Sequence, residues 1–179
     1  NPIDGFTIDR REVGYVGRDL QRPECILAER DGTLWAADAR GGVVRIGADG
    51  RQAIVSQTEA AQFSGAATDA ERFVAGTLPN GLAFAANGDL LIANFGTDRL
   101  EVMTRDGASR VLHDTIDGAP IGKVNFVLRD SRDRIWITVS TRLKNWMHAL
   151  RTDLADGYLA RYEDGTFRIV AAGFHFANE

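Results

Sequence analysis

The chain contains little cysteine, little proline and no strong excess of one charge. Cys25 is the single cysteine among 179 residues, which excludes an internal disulfide and a zinc site built from several cysteines. No run approaches the ~20 consecutive apolar residues of a membrane-spanning helix. The 21 basic and 25 acidic residues give a net charge of −4 without blocks of like charge, which disfavours a nucleic-acid-binding surface.

The overall composition is that of a folded globular domain. Hydrophobic residues account for 44% of the chain and charged residues for 26%, which excludes an intrinsically disordered protein. Glycine is frequent, with 19 residues against 4 prolines, and this balance favours short strands joined by tight turns. The sequence begins with Asn1 rather than methionine, so we expect that residues upstream have been removed.

A short sequence pattern recurs along the chain. Its copies are the segments 31–37, 87–93 and 132–138. Equivalent positions lie 56 residues apart (88 minus 32) and then 45 residues apart (133 minus 88). Each copy is followed by an Asp-Gly pair between two β-rich runs, which is typical of a hairpin turn.

Each copy therefore predicts a unit of four strands. The predicted strands are Glu24–Glu29, Thr33–Asp38, Val43–Gly47 and Gln52–Ser56 in the first unit; Leu82–Ala86, Asp89–Asn94, Leu100–Thr104 and Arg110–His113 in the second; and Val124–Asp130, Arg134–Ser140, Tyr158–Tyr162 and Phe167–Ala171 in the third. Repeated four-stranded units of this length indicate an all-β fold, a β-propeller, and each unit would be one blade. A β-sandwich is the alternative, although it would not require the same pattern in each unit.

The repeat divides the whole chain, residues 1–179, into parts of a partial propeller. The parts are an N-terminal extension or outer strand (1–23), blade 1 (24–56), a link (57–79), blade 2 (80–114), blade 3 (124–173, with an insertion at 141–156) and the start of a fourth blade (174–179). Propellers typically close with 4–8 blades, so three blades cannot form a ring. We expect the rest to be deleted sequence, a second polypeptide fragment or a second copy, and a separate fragment is favoured.

The insertion at 141–156 interrupts the third unit. Its apolar residues Leu143, Trp146, Met147 and Leu150 are spaced as on one face of a short helix. The helix would either pack on the blade or form a flap over the central mouth, where Trp146 and Met147 would line an apolar substrate wall. His148 in the same segment is a further candidate for substrate binding.

Polar residues stand where the innermost strand of each unit begins. They are Glu24, Asn80, Asn125 and Asn178. The inner strands of a propeller surround its axis, so these side chains are expected to converge. Carboxylate and amide oxygens suit a hard cation such as Ca²⁺, whereas zinc prefers nitrogen and sulfur ligands. The alternative interpretation is that each asparagine is simply a turn residue.

These features resemble the SMP-30/gluconolactonase/luciferin-regenerating-enzyme-like (LRE-like) family over about residues 22–179. The matching landmarks are Glu24 with Asp31–Trp35, Pro79–Phe84, Asn125 with Asp133–Trp136, and Phe176–Asn178. The resemblance implies a six-bladed propeller with a catalytic calcium in its central tunnel, of which this chain supplies about three blades and the first strand of a fourth. It implies Glu24, Asn125 and Asn178 as metal ligands and Asn80 as a substrate-side residue. The family's aspartate ligand, the usual candidate for the catalytic base, would lie beyond Glu179.

The function implied by this resemblance is calcium-dependent hydrolysis of a lactone or another ester. The calcium ion, or another divalent cation, would polarise the carbonyl of a small-molecule substrate. His175, close to the start of the fourth unit, is a candidate for lining the tunnel and contacting substrate. The alternatives are a metal-free propeller similar to strictosidine synthase and a non-catalytic propeller that binds a ligand or a protein. We expect neither nucleic acid nor a membrane as a partner.

Overall fold

Antiparallel β-sheets make up most of the structure. The computed structural model describes residues 4–58 and 76–178. Within those residues it contains three four-stranded sheets and one two-stranded hairpin. In each four-stranded sheet the strands follow one another in chain order, which is the connectivity expected for a propeller blade. The all-β prediction is therefore confirmed, as are the four-stranded units.

The sheets are named I, II and III in chain order. Sheet I consists of β1 (Ile26–Ala28), β2 (Leu34–Asp38), β3 (Gly42–Ile46) and β4 (Gln52–Ser56). Sheet II consists of β5 (Pro79–Phe84), β6 (Leu90–Asn94), β7 (Arg99–Met103) and β8 (Ser109–His113). The hairpin comprises β9 (Thr115–Ile116) and β10 (Ala119–Pro120). Sheet III consists of β11 (Val124–Arg129), β12 (Ile135–Val139), β13 (Gly157–Glu163) and β14 (Thr166–Phe174).

The structure corrects several boundaries of the predicted units. The first strand begins at Ile26, so Glu24 precedes it in a loop. Strand β14 continues through Phe174, and residues 175–178 are not in a strand. Instead of the predicted short amphipathic helix, the insertion contains one 3₁₀ turn, Trp146–Ala149. The predicted link falls largely on residues 59–75, which lie outside the described residues, and its last residue, Pro79, already belongs to β5.

Tight turns between the first two strands of each sheet follow the repeated sequence. Gly32 and Gly88 adopt φ values of +89° and +87°, a left-handed conformation that glycine adopts readily. Asp133 occupies the equivalent position before β12 with φ +63°, which aspartate tolerates better than most residues. The same turn therefore recurs even where the glycine is absent.

Neighbouring sheets pack face to face, each interface with its own apolar core. The core between sheets I and II contains Trp35, Ala37, Val43, Leu82, Leu90, Ile92 and Met103. The core between sheets II and III contains Ala83, Leu91, Ala93, Leu100, Val127, Ile137, Val139, Tyr158, Ala160 and Phe167. Because successive side chains of a strand point to opposite faces, β6 contributes to both cores.

One position of the repeat shows that sheets I and II are each covered by the next sheet on the same face. Trp35, Leu91 and Trp136 occupy this position in sheets I, II and III. Trp35 is 2% exposed and faces sheet II, and Leu91 faces sheet III. Trp136 follows the same rule: its neighbour Ile137 packs toward sheet II, so Trp136 faces away from that sheet. Trp136 is only half-buried, because no further sheet of the described chain covers it.

A polar contact reinforces the interface between sheets I and II. The indole Nε1 of Trp35 donates to Glu29 Oε1 at 2.5 Å. Arg105, in the turn between β7 and β8 of sheet II, reaches across, with its guanidinium carbon 5.2 Å from the Trp35 ring centroid and its Nη1 2.5 Å from Glu29 Oε1. On sheet III, Trp136 Nε1 donates to Asp130 Oδ2 at 2.9 Å, while Arg134, directly before β12, covers the ring.

A buried carboxylate connects sheet II with the end of sheet I. Glu101 is enclosed, and its Oε2 accepts from Gln57 Nε2 at 2.7 Å and from Asn94 Nδ2 at 2.9 Å. Its Oε1 accepts from Thr97 Oγ1 at 2.9 Å. Thr77 donates to Gln57 Oε1 at 3.3 Å, so the residues flanking 59–75 meet in this network.

No helix among residues 4–58 and 76–178 is long and apolar enough to cross a membrane.

Candidate functional site

The first strands of the three sheets lie side by side. Cys25, just before β1, directs its Sγ toward the Leu82 carbonyl oxygen of β5 at 3.6 Å. Asn80 of β5 contacts Asn125 of β11. Gly81 lies next to Phe126. Both contacts join residues 45 positions apart (125 minus 80, 126 minus 81), so β5 and β11 run in the same direction. The residues at the starts of these strands are therefore gathered at one end of the sheets.

Gly81 permits this close approach of β5 and β11. A Cβ atom added to Gly81 would lie 2.6 Å from the Phe126 Cα atom and 3.0 Å from the Asn125 carbonyl oxygen. Real side chains do not tolerate the first distance, so the backbones require glycine here. The sequence Asn80-Gly81 thus places an amide side chain next to a point of backbone contact.

Asn80 and Asn125 both sit at irregularities of their sheets. The register between β5 and β6 shifts between Pro79 and Gly81, and that between β11 and β12 shifts between Val124 and Phe126. Such β-bulges re-aim a side chain out of the regular alternation and are common next to active sites. The repetition of the bulge in two successive sheets gives both asparagines equivalent settings.

The side-chain amides of Asn80 and Asn125 are paired and buried. Asn80 Nδ2 donates to the Asn125 carbonyl oxygen at 3.0 Å and to Asn125 Oδ1 at 3.2 Å. Asn80 is 5% exposed, yet its Oδ1 accepts no hydrogen bond from the described residues. A buried acceptor without a donor is costly, so this atom is ready for a cation or for a hydrogen-bond donor of a ligand.

Glu24 lies in the loop before β1 and stays partly accessible. Its side chain is 40% exposed, and Oε1 lies 3.0 Å from Arg22 Nε. The ion pair keeps a cationic group next to the carboxylate, and a metal ion would have to replace it. The structure brings Asn80 and Asn125 into contact and gives no corresponding contact between Glu24 and either of them among the described residues.

Asn178 follows sheet III at the end of the described chain. Its backbone carbonyl oxygen accepts from Thr138 Oγ1, and the preceding Ala177 carbonyl oxygen accepts from Ser140 Oγ at 2.7 Å. Both donors lie on or directly after β12, so the segment containing Asn178 is held against sheet III. The Asn178 side chain itself is exposed.

The insertion places its predicted substrate-binding residues differently. Trp146 packs in an aromatic cluster, with ring centroids 5.9 Å from Phe95 and 5.7 Å from Phe176. Met147 and His148 are exposed, and the His148 ring is 3.4 Å from Asn145 Nδ2. Trp146 therefore anchors the insertion on the molecule, whereas Met147 remains exposed.

His175 lies between two surface cavities. One, of about 450 Å³, is bounded by Thr138, Tyr158, Phe174 and Asn178, and the other, of about 380 Å³, by Leu150 and Arg151. The ring Nδ1 is 2.8 Å from the Leu154 carbonyl oxygen. Burial raises the pKa of Tyr158 to about 12, so this phenol keeps its proton at neutral pH and is no base for the first cavity.

Sequence reasoning missed a buried lysine beside the asparagine pair. Lys123 precedes Asn125 by two positions and is 0% exposed. Its Nζ lies 2.7 Å from Asp98 Oδ1. Burial lowers the pKa of Lys123, while Asp98 acts in the opposite direction. A single lysine after Gly122 gave no signal of burial in the sequence, because lysine is ordinarily an exposed residue.

The donor chemistry of the site is that of oxygen ligands. Among the described residues, no three histidine, cysteine, aspartate or glutamate side chains are grouped as metal ligands. The predicted set of Glu24, Asn125 and Asn178 contains one carboxylate and two amides, and such a set suits Ca²⁺ rather than zinc. The unsatisfied Asn80 Oδ1 fits the same chemistry.

Comparison with solved structures identifies the architecture. A gluconolactonase from Xanthomonas campestris matches with a TM-score of 0.62 and 19% identity over 86% of this chain and 49% of that one. A proposed gluconolactonase matches with a TM-score of 0.62 and 14% identity over 87% of this chain and 50% of that one. Virginiamycin B lyase from Staphylococcus aureus, in complex with quinupristin, matches with a TM-score of 0.53 and 18% identity over 88% of this chain and 43% of that one.

These matches rest on similarity of structure and not on similarity of sequence. No family model and no curated protein matches the chain. The chain spans about half or less of the length of these solved structures. At identities below 20% the similarity establishes the fold and not the reaction. The chain thus has the fold of part of a β-propeller, as in these solved structures.

Proposed function

We propose that this chain is part of a six-bladed propeller hydrolase that cleaves a lactone or another ester with the help of a calcium ion. The hydrolase class is supported by the gluconolactonases among the similar structures. Because that similarity is one of fold, the residues must carry the argument for the reaction.

The observation that carries the proposal is the pair of bulged, buried asparagines. Asn80 and Asn125 come from different sheets, and their amides meet at the start of the inner strands. Asn80 Oδ1 has no donor among the described residues. Two buried amides with an unused acceptor are expensive as a purely structural feature, and a ligand would offset that cost.

Glu24, Asn125 and Asn178 would hold the calcium ion through side-chain oxygens. When bound, calcium would act as a Lewis acid on the substrate carbonyl, stabilising charge that develops on its oxygen. Asn80 would orient the substrate from the neighbouring strand. The chain leaves the catalytic base unassigned, because the resemblance places it beyond Glu179.

The substrate would be a small molecule with an apolar portion. Met147, Leu143 and Leu150 of the insertion are exposed and lie beyond the aromatic anchor of Trp146. His148 and His175 are exposed on the same segment and next to it, where they would contact polar parts of the substrate. An ester with an apolar acyl or alcohol group fits these surfaces better than a fully hydroxylated sugar lactone.

The propeller would be completed by further blades packed on sheet III. Trp136 and Leu128 are presented on the face that points away from sheet II, and Leu128 is 52% exposed. This face corresponds to the faces of sheets I and II that are covered by the next sheet. The additional blades would come from deleted sequence, from a second polypeptide fragment or from a second copy of the chain.

A metal-free function is the second candidate, because Glu24 already has a cationic partner. The Arg22–Glu24 ion pair satisfies the one carboxylate of the predicted ligand set. In a metal-free propeller this pair would be structural, and Asn80 Oδ1 would accept a hydrogen bond from a bound ligand.

Calcium titration distinguishes the two candidates. Under the calcium hypothesis, saturating Ca²⁺ at 100 times its Kd stabilises the protein by about 2.7 kcal/mol, a rise of several degrees in Tm, and a chelator reverses the rise. Differential scanning calorimetry, with ester hydrolysis followed in the completed propeller, measures both effects. Glu24→Gln and Asn125→Ala should each abolish the calcium-dependent shift.

Asn87→Ala is the matched control, because Asn87 is an exposed asparagine in the turn before β6. It should leave the calcium-dependent shift and the activity intact. A Tm that does not respond to calcium, or equal responses in all three variants, would refute the ligand assignment and favour the metal-free candidate.

A further inference from the structure

Asp98 connects three separate parts of the described structure. It lies in the turn between β6 and β7, with a left-handed φ of +59°. Its Oδ1 lies 2.7 Å from Lys123 Nζ, and its Oδ2 lies 2.6 Å from Lys144 Nζ. One carboxylate of sheet II thus binds a lysine before β11 of sheet III and a lysine of the insertion.

We call the two ion pairs of Asp98 the arms of a junction. The pair with Lys123 is the buried arm, because the Lys123 side chain is 0% exposed. Lys123 also directs Nζ toward the Gly96 carbonyl oxygen at 3.5 Å and lies 5.6 Å from the Phe95 ring centroid. Its backbone pairs with Thr141, through Lys123 N to Thr141 O at 2.8 Å. Since a charge buried without its counter-charge is strongly destabilising, the Asp98 carboxylate holds this end of β11 in place.

The contact with Lys144 is the exposed arm. The Lys144 side chain is 60% exposed, so the ion pair alone contributes little. The base of the insertion is closed separately, because Asp156 Oδ2 accepts from Thr141 Oγ1 and from Arg142 N, each at 2.8 Å. Asp98 is therefore a second attachment point, close to where Trp146 packs on Phe95.

We propose that Asp98 is a positioning residue, whose carboxylate holds both the insertion and the start of β11 against sheet II and so keeps Asn80 paired with Asn125. Lys123 is two residues from Asn125, and a shift of this segment moves the bulge that presents the asparagine. The inference rests on the proposed function only in treating the asparagine pair as part of the reactive site.

The two arms predict different effects for different substitutions. Lys144→Gln releases only the insertion and leaves the Lys123–Asp98 pair intact. Asp98→Asn weakens both arms and leaves Lys123 without this carboxylate. Lys123→Met, combined with Asp98→Asn, removes the buried cation, and the start of β11 no longer requires a counter-charge.

Two measurements follow the arms independently of calcium and substrate. Trypsin cleavage after Arg142 and Arg151 reports on the insertion. The side-chain NH₂ resonances of Asn80 in a ¹⁵N-labelled protein report on its hydrogen bonds to Asn125, through their chemical shifts and exchange rates. Asp153→Asn is the control, because it removes an exposed ion pair with Arg151 within the same insertion.

Asp98→Asn should accelerate cleavage and Asn80 amide exchange by about tenfold or more each, since local opening governs both rates. Lys144→Gln should accelerate cleavage alone, and by less than Asp98→Asn does, because its ion pair is exposed. Asp153→Asn should change neither cleavage after Arg142 nor the Asn80 signals. Unchanged Asn80 signals in Asp98→Asn would overturn the proposal.

If Asp98→Asn does not fold, the double variant Lys123→Met with Asp98→Asn tests the proposal. Restored folding with Asn80 signals like those of the parent, and an insertion that is still cleaved rapidly, supports the two-arm junction. Failure of the double variant to fold would overturn it, because the buried cation would then not be the reason for the defect. A failed calcium titration leaves these results unaffected.

Discussion

His113, at the end of β8, lies between two aromatic side chains of sheet III. Its ring centroid is 4.9 Å from that of Tyr162 and 4.8 Å from that of Phe167. Burial lowers the pKa of His113 below its ordinary value of 6.5, with Asp114 acting in the opposite direction. The neutral imidazole is therefore the form that fits between the sheets.

This packing predicts a loss of stability in mild acid. Below pH 6.5 the unfolded chain takes up a proton at this position while the folded chain resists it, so the free energy of unfolding falls as the pH decreases until the lower, folded pKa is passed. Urea denaturation at pH 7.5 and pH 5.5 measures the change. His113→Gln should reduce the difference between the two pH values, whereas an identical difference in the variant would contradict the assignment.

The sequence indicated the chemistry of the asparagines but not their contact. Asn80 and Asn125 were predicted at inner strand starts because each precedes an apolar run. The hydrogen bonds that Asn80 donates to Asn125 depend on the bulges and on the backbone approach at Gly81, which are properties of two sheets together. Lys123 was missed for the same reason, since its counter-charge is 25 residues away in the sequence (123 minus 98).

Among the elements, equivalent strands contribute unequally to stability. Trp35 on β2 and Trp136 on β12 share a position in the repeat, but the first is enclosed by sheet II and the second is half-buried. Trp35→Ala should lower the free energy of unfolding by about 3–5 kcal/mol through lost burial and a cavity. Trp136→Ala should cost less than half of that in the same chain, as measured by urea denaturation. Equal losses would show that Trp136 is covered in solution.

The strands themselves were predictable because their patterns are local. Turn sequences and apolar runs located the strands of all three sheets to within a few residues. The hairpin of β9 and β10 was missed because two-residue strands have no recognisable period. The short 3₁₀ turn was overestimated as a helix because Leu143 and Leu150 extend the apolar spacing without joining the helical segment.

At the scale of the whole molecule, the face of sheet III that points away from sheet II is covered by no other sheet among the described residues. Leu128 lies on that face of sheet III and faces away from sheet II. Leu128→Glu should leave the Tm of the chain alone within about 2 °C, because exposed substitutions change stability by roughly 0.5 kcal/mol or less. The same change should prevent association with the further blades that we propose pack on this face, as measured by analytical ultracentrifugation.

A matched substitution on the covered interface tests this interpretation. Leu82→Glu introduces the same charge into the core between sheets I and II and should unfold the chain. Unfolding by Leu128→Glu as well, or unimpaired association, would show that the face of sheet III is not the surface on which further blades pack.

The meeting of Gln57 and Thr77 has a practical consequence for engineering. Thr77 Oγ1 and Gln57 Oε1 are 3.3 Å apart, so the residues on either side of the segment 59–75 lie close together. A longer loop between ends this close adds little to the free energy of loop closure, about 0.6 kcal/mol for each doubling of its length. We therefore expect that a fluorescent reporter domain inserted in place of residues 59–75 would leave the packing of sheets I and II unchanged.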